Sequence, residues 1–375
     1  MKPDSELRLS IIGLGNLLEI IWPCFKTALT APDLRKRVLA TTLDEPELED
    51  KRKHFGIEVQ LGENLKALEK NQPDIIAFAP PPQAAPKEIE LTLASYFAEV
   101  RQKGAPLPEI YAFPPMPPGS QYQKVLGTDV LVVNLIPNNV TRIAGEAVRD
   151  EGYYVACFYG DWPQSSRDRL QRIFASQGAM VQSPPELLVP MLGGTCGFFC
   201  LWEVVPRLAA MLSAKGCGSD HNQVGGFLRA VCREISRFTP PSGEELGRFG
   251  ITGDLALFLA HIAGAWLRGV ENYFKEIDFP AEAARTILTR GFDLILHTTQ
   301  CEPKEVLHNH AVGAATKGGV LEKAVAVFKE KVEPVLQKGV QTLPAGPGTA
   351  WPEELSARVL ELCRIVGAHG KRLAG

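Results

Sequence analysis

Two glycine pairs, each leading into a helical pattern, are the residues of this chain whose type and spacing suit them to holding an anion. The first lies in Leu9-Ser-Ile-Ile-Gly13-Leu-Gly15-Asn16-Leu17-Leu18-Glu19. An apolar run ends at Gly13, which permits a tight turn, and Gly15 lets the backbone approach a pyrophosphate. The helix that follows through Ile20, Ile21 and Phe25 offers free N–H groups and the positive end of its dipole. Leu18 stands where the dinucleotide fingerprint has its third glycine. An ordinary strand-to-helix turn is the other reading of these residues. The second pair lies in Thr316-Lys317-Gly318-Gly319, before a helical pattern that starts at Val320. Backbone N–H groups at Gly318 and Gly319 could bind a carboxylate by the same logic. Lys317 would add a cation there, or donate a proton if burial lowers its pKa. The plain alternative is a capped helix with a solvated lysine. Thr195 could hydrogen-bond a substrate or cap a helix beginning near Phe198.

The elements that must position these groups alternate in the first half of the chain. Arg37–Leu43, Pro73–Ala79, Glu109–Phe113 and Val130–Asn134 are apolar runs of strand length, with a polar helical segment from Glu45 to Phe55. Proline closes several of them, most abruptly at Pro80-Pro81-Pro82. Short apolar runs separated by helical stretches predict βαβ units and a parallel sheet covered on both faces. Ligands of such sheets bind beyond the carboxyl ends of the strands, where Gly15, Thr42, Pro80 and Pro137 fall. After about residue 185 the strand pattern stops. Apolar residues recur at helical spacing through Phe199–Leu212, Gly225–Ile235, Leu255–Val270, Ala281–Leu296 and Val320–Leu336. Breaks fall at Lys215–Ser219, Thr239–Gly243 and Thr342–Gly348, and a final helix is expected over Pro352–Gly367. The expected order is a Rossmann-like α/β domain over 1–185, an all-α domain over 186–341, and a linker with a terminal helix over 342–375.

Composition narrows the class. The chain has 375 residues, 45% hydrophobic and 22% charged, with a net charge of −3. Those values fit a globular enzyme and give no reason to expect nucleic acid or an acidic membrane as partner. The amino terminus carries mixed charge rather than a signal peptide, and no apolar run is read as a membrane span. The 8 cysteines are scattered, which points to a reducing cytoplasm. Cys196 and Cys200 could share a helix face, read as packed thiols since no second ligand pair has metal-site spacing. No metal is expected.

The order of motifs resembles that of pyrroline-5-carboxylate reductases, of which the chain is identified as a divergent member. Gly13-Leu-Gly15-Asn16-Leu17-Leu18-Glu19 is similar to the family's G-x-G-N-M-x-E, and Asp74–Gln83 to its D-V-V-x-L-A-V-K-P-Q. Val133-Asn-Leu-Ile-Pro137-Asn138-Asn139 is similar to V-R-V-M-P-N-T, with Gly145-Glu146 following. Gly193-Gly194-Thr195-Cys196-Gly197-Phe198-Phe199 stands in the place of S-G-S-G-P-A-Y, and Ala315–Glu322 in that of S-P-G-G-T-T and its helix. The likeness covers roughly 8–200 and 280–340. It implies a nucleotide-binding domain followed by a helical dimerisation domain, and NADP or NAD as cofactor. It implies cofactor contacts from Gly13, Gly15, Asn16, Leu17, Thr42, Pro80, Pro81, Pro137 and Asn138. Substrate contacts would come from Gly194, Thr316, Gly318 and Gly319, with Lys317 and Thr195 in catalytic roles. The departures touch the substrate: the threonine doublet has become Val320-Leu321, and Lys317 replaces a proline.

The chemistry so implied is reduction of a small carboxylated imine. A protonated imine needs no strong acid, so the chain would supply position and field. An opine- or hydroxyacid-type dehydrogenase, with Lys317 protonating a carbonyl, is the second enzyme reading, and a nucleotide-binding homologue without turnover the third. Thr41 and Thr42 of the second strand suit a 2′-phosphate with Arg52 or Lys53 nearby, favouring NADP, and the basic run Lys51-Arg52-Lys53-His54 that follows is otherwise a solvated helix face. Asp44 stands later than the acidic residue that grips a ribose about 20 positions past the glycines. A deazaflavin also suits such sheets. His308 and His310 would share one side if extended, for surface or hydrogen-bonding roles, and with His297 are not read as metal ligands. The apolar stripe Phe227, Leu228, Val231 and Ile235 predicts a homodimer of intertwined helices.

Overall fold

The computed structural model describes residues 6–28, 36–43, 45–137, 140, 142–148, 151–236, 247, 249–314, 318–343 and 350–374. Among them the chain forms two compact units, residues 1–139 with 154–188, and residues 140–153 with 189–375.

The first unit is built on an eight-stranded sheet. Its strands are β1 (Leu9–Ile12), β2 (Val38–Thr42), β3 (Glu58–Leu61), β4 (Ile75–Phe78), β5 (Glu109–Ala112), β6 (Val132–Ile136), β9 (Tyr153–Tyr159) and β10 (Ala179–Gln182). They run in the order β10-β9-β6-β5-β4-β1-β2-β3. The six strands from β3 to β6 are parallel, and β9 pairs antiparallel with β6. Order 3-2-1-4-5-6 is that of the doubly wound dinucleotide-binding fold, so the Rossmann-like expectation holds for this half. Connecting helices are α1 (Asn16–Ala28), α2 (Leu48–Phe55), α3 (Asn64–Asn71), α4 (Ala85–Glu88), α5 (Ala94–Gln102), α6 (Gly119–Leu126) and α7 (Gln164–Ile173). A π turn at Ile89–Leu93 joins α4 to α5. Strands β1, β2 and β4 to β6 read as apolar runs because both sheet faces are covered, and β1, β2, β4 and β5 are buried at every position. Leu9 and Ile11 of β1, Phe25 of α1, Tyr111 of β5 and Phe174 close one continuous core. Phe25 meets Phe174 edge to face at 5.6 Å.

The second unit is helical. Its helices are α8 (Leu192–Phe199), α9 (Leu201–Ala214), α10 (His221–Ser236), α11 (Gly253–Glu276), α12 (Ala281–Cys301), α13 (Lys304–Ala314), α14 (Val320–Val327), α15 (Glu333–Gln341) and α16 (Trp351–Ala374). A short hairpin, β7 (Arg142–Ile143) and β8 (Glu146–Ala147), belongs to the same unit. Ala144 and Gly145 form its turn, both with positive φ, as a hairpin connection of two residues requires. The terminal helix α16 is longer than its expected Pro352–Gly367 and is built into this unit, Leu355, Val359, Leu362 and Val366 being wholly buried. Pro344–Gly348 of the expected linker lie outside the described residues.

Two expectations change here. The stripe offered as a dimer face is mostly internal: Phe227, Leu228 and Val231 are buried within this chain, and Ile235 alone of the four is exposed. It therefore calls for no partner. The segment Leu192–Ala214, over which no membrane span was expected, is long and apolar enough to pass as one, yet two thirds of its most apolar stretch is buried within the protein, the mark of a core helix pair.

Candidate dinucleotide site

Parallel register brings the sheet unit's expected residues to one level. Ile12 lies opposite Thr41 on β2 and Phe78 on β4, so Gly13, Ala79 and Thr42, the last residue of β2, stand at one level at the carboxyl edge of the sheet. β1 and β4 flank the point where strand order reverses, the place where such sheets hold their ligands.

The glycines there do different work. Gly13 has φ +89°, and a Cβ on it would sit 2.6 Å from the Ala79 carbonyl oxygen and 2.8 Å from Pro80 N. Both conformation and proximity exclude a side chain. Gly15 is exposed, and a Cβ on it would meet nothing within 4 Å. The Leu14 N–H donates to Thr41 O (2.9 Å), Gly15 N–H to Gly13 O (3.0 Å) and Leu18 N–H to Gly15 O (2.9 Å). The Leu17 N–H has no acceptor among the described residues. An open glycine beside an unspent helix N–H is what a pyrophosphate needs. Leu18 is wholly buried in the core cluster, so this helix packs through a leucine where the fingerprint has a glycine. Pro80 is buried and Pro81 exposed, its carbonyl accepting the Ala84 N–H (2.9 Å) as the chain turns into α4. Pro137 is buried after β6, while Asn138 lies outside the described residues.

At the end of β2 the basic partner is not the one the sequence favoured. Arg52 is committed to the Val59 carbonyl (2.9 Å) and to Glu49. Lys51 instead brings Nζ to 3.4 Å from Thr42 Oγ1, with Glu47 at 3.2 Å. Asp44 lies outside the described residues. Asn134 closes the expected strand Val130–Asn134 and is more than an ordinary strand residue. Fully buried, it accepts the Gly119 N–H (2.7 Å) and donates to Pro114 O (3.0 Å), tying down the proline-rich loop that follows β5. An amide inside an apolar strand is the signal that could have found it.

In the helical unit several expected groups are already occupied. Thr195 does not cap a helix at Phe198; it lies inside α8, buried, its hydroxyl donating to Leu192 O (3.2 Å). A Cβ on Gly194 would strike the Phe274 ring at 2.5 Å, and one on Gly193 the Cys363 carbonyl at 2.4 Å. These glycines let helices approach closely rather than opening a surface. Gly318 has φ +73°, and its N–H donates to Glu322 Oε2 (2.6 Å), while Gly319 is the N-cap of α14. Thr316 and Lys317 lie outside the described residues.

The histidines are helical rather than extended, so His308 and His310 part. His308 Nδ1 lies 2.7 Å from Glu203 Oε1. His310 stacks on Trp202 with ring centroids 5.4 Å apart, and its buried Nε2 has no hydrogen-bond partner. Burial pushes its pKa below the usual histidine value, against a small opposing pull from Glu302. Burial likewise raises the Cys196 thiol to about 12, that of an inert packed thiol.

No family model matches the sequence, and no curated protein matches it. The fold is similar to pyrroline carboxylate reductase of Plasmodium falciparum with NADP bound, at 12% identity over 98% of this chain and 99% of that one, TM-score 0.40. It is similar to a pyrroline-5-carboxylate reductase of Coxiella burnetii at 11% identity, 98% and 99% coverage, TM-score 0.44. A prephenate dehydrogenase of A. aeolicus, in complex with hydroxyphenyl propionate and NAD+, matches at 11% identity, 72% and 88% coverage, TM-score 0.36. Likenesses with TM-scores this low carry no functional argument, and the strand order above carries the fold.

Proposed function

We propose that this chain binds NADP or NAD at the Gly13–Leu17 turn and is a nicotinamide-dependent reductase of a small carboxylated imine. One observation carries the cofactor reading: at the switch point of a 3-2-1-4-5-6 sheet, Gly13 is locked against Ala79 and Pro80 while Gly15 and the Leu17 N–H remain open. The residues fit the group despite Leu18. When bound, the nicotinamide supplies hydride. The chain's part is to bind and orient: the turn and the helix dipole meet the pyrophosphate, and Pro80 with the Asn134-held loop shapes the neighbouring strand ends. Lys51 beside Thr42 supplies charge and a hydroxyl suited to a 2′-phosphate, which favours NADP. The imine substrate rests on the ordered motifs shared with pyrroline-5-carboxylate reductases. Lys317, Thr316 and Gly319 remain the residues assigned to it. The cysteines, all free, suit a reducing cytoplasm.

A second reading, nucleotide binding without turnover, is favoured by the Thr195 hydroxyl and the Gly318 N–H being occupied within the chain. The test is oxidation of NADPH, followed at 340 nm, across a panel of cyclic imino acids and 2-oxo acids. Turnover of a cyclic imine supports the reductase. Turnover of oxo acids alone, abolished by Lys317→Met, supports the dehydrogenase. NADPH binding with no turnover supports the second reading.

A further inference from the structure

A pocket of about 360 Å³ opens on the helical unit, lined by Trp202, Pro206, Glu203 and Arg207 of α9 and by Lys304 and His308 of α13. Its charges are unevenly matched. The Glu203 carboxylate, largely buried, is held by His308 Nδ1 at 2.7 Å and lies 3.6 Å from Arg207 Nε, an ion-pair distance too long for a hydrogen bond. Arg207 reaches Glu333 only at 3.4 Å through Nη1, and its buried Nε makes no hydrogen bond. The Lys304 ammonium has no partner among the described residues. With Nδ1 turned to Glu203, the His308 Nε2 is left for another group. Trp202 is wholly buried, its indole N–H donating to Thr298 Oγ1 (2.6 Å) and its ring packed on His310 and Phe199, so it forms the floor beneath the pocket, and the apolar surface is left to Pro206 and Ala210.

We infer that this pocket is a binding site for a small organic anion: a carboxylate or phosphate head on Lys304 and Arg207, with an apolar body against Pro206 and Ala210. Its size is within the range of metabolite sites, and an apolar wall with a few convergent polar groups is their usual make-up. Arg207 and Lys304 are the cations suited to such heads, and the unspent donors are what an oxyanion would satisfy. Every residue belongs to the helical unit, so the inference stands apart from the dinucleotide reading.

Calorimetric titration of the full chain with benzoate and with phenyl phosphate, each with and without NADPH, tests it. The expected result is one-to-one binding of at least one probe that NADPH does not displace. Affinity falls on the order of tenfold in Lys304→Gln. Binding is abolished by Ala210→Phe, a change at an exposed pocket-lining residue that fills the space without disturbing the core. Preference between the two probes identifies the head. Absence of binding by both probes, or binding unchanged in both variants, overturns the inference. So does displacement by NADPH. Failure to bind NADPH leaves this test intact.

Discussion

The two glycine turns that enter α1 and α14 begin from the same residues and end in different states. At Gly13–Gly15 the chain spends its first N–H groups on Thr41 and Gly13, then leaves Leu17 N–H and the space above Gly15 open. At Gly318–Gly319 the carboxylate of Glu322 folds back onto the Gly318 N–H. The second turn holds an anion already, its own. Whether a helix N-terminus binds a ligand is thus decided by whether an acidic side chain in its first turn can reach the free donors, as in a capping box.

The largest expected effect breaks the first turn itself. Gly13→Ala demands a left-handed alanine pressed on the Ala79 carbonyl and should destabilise the chain by at least about 3 kcal/mol, read from denaturant unfolding. Next, Lys51→Met should weaken NADPH on the order of tenfold and leave NADH unchanged, since only the 2′-phosphate needs that charge. Equal losses for both cofactors would remove Lys51 from the phosphate site. At the second turn, Glu322→Ala should cost about 1 kcal/mol of stability through the lost cap, with NADPH binding unaltered. A change in NADPH affinity there would erase the contrast between the turns.

The smallest effect separates the units by pH. His310 and His297 both lie in the helical unit, and burial lowers the pKa of each from 6.5. The unfolded chain therefore takes up protons first as pH falls. Their contribution is complete above pH 6.5 and declines below it. Urea midpoints measured between pH 7.5 and 5.5 should fall, and the slope should flatten in His310→Phe. An unchanged slope in that variant would assign the loss to other groups.

Much of the sheet was legible because parallel strands covered on both faces are plain apolar runs. β3, Glu-Val-Gln-Leu, is short and half polar, and does not stand out. β9 escapes because it pairs antiparallel with β6 and, among the described residues, no helix crosses between them, so the βαβ rhythm does not announce it. The Gly13–Gly15 turn was legible from local spacing. The fate of Thr195 was not, since the helix expected to begin near Phe198 starts instead at Leu192, where Tyr273, Phe274 and Cys363 pack on Gly193 and Gly194. Nor was the exchange of Lys51 for Arg52 at Thr42, which depends on which face of α2 meets the sheet.

The central claim is that Gly15 serves a ligand and Gly13 serves the fold. Titration of NADPH into the wild-type chain and Gly15→Ala, with unfolding measured on the same samples, tests it most directly. The predicted result is one-to-one binding by the wild type and at least about a tenfold loss in Gly15→Ala, with stability unchanged to about 0.5 kcal/mol because the added methyl meets nothing. A wild type that binds neither NADPH nor NADH, or a Gly15→Ala variant that binds as tightly, would contradict it.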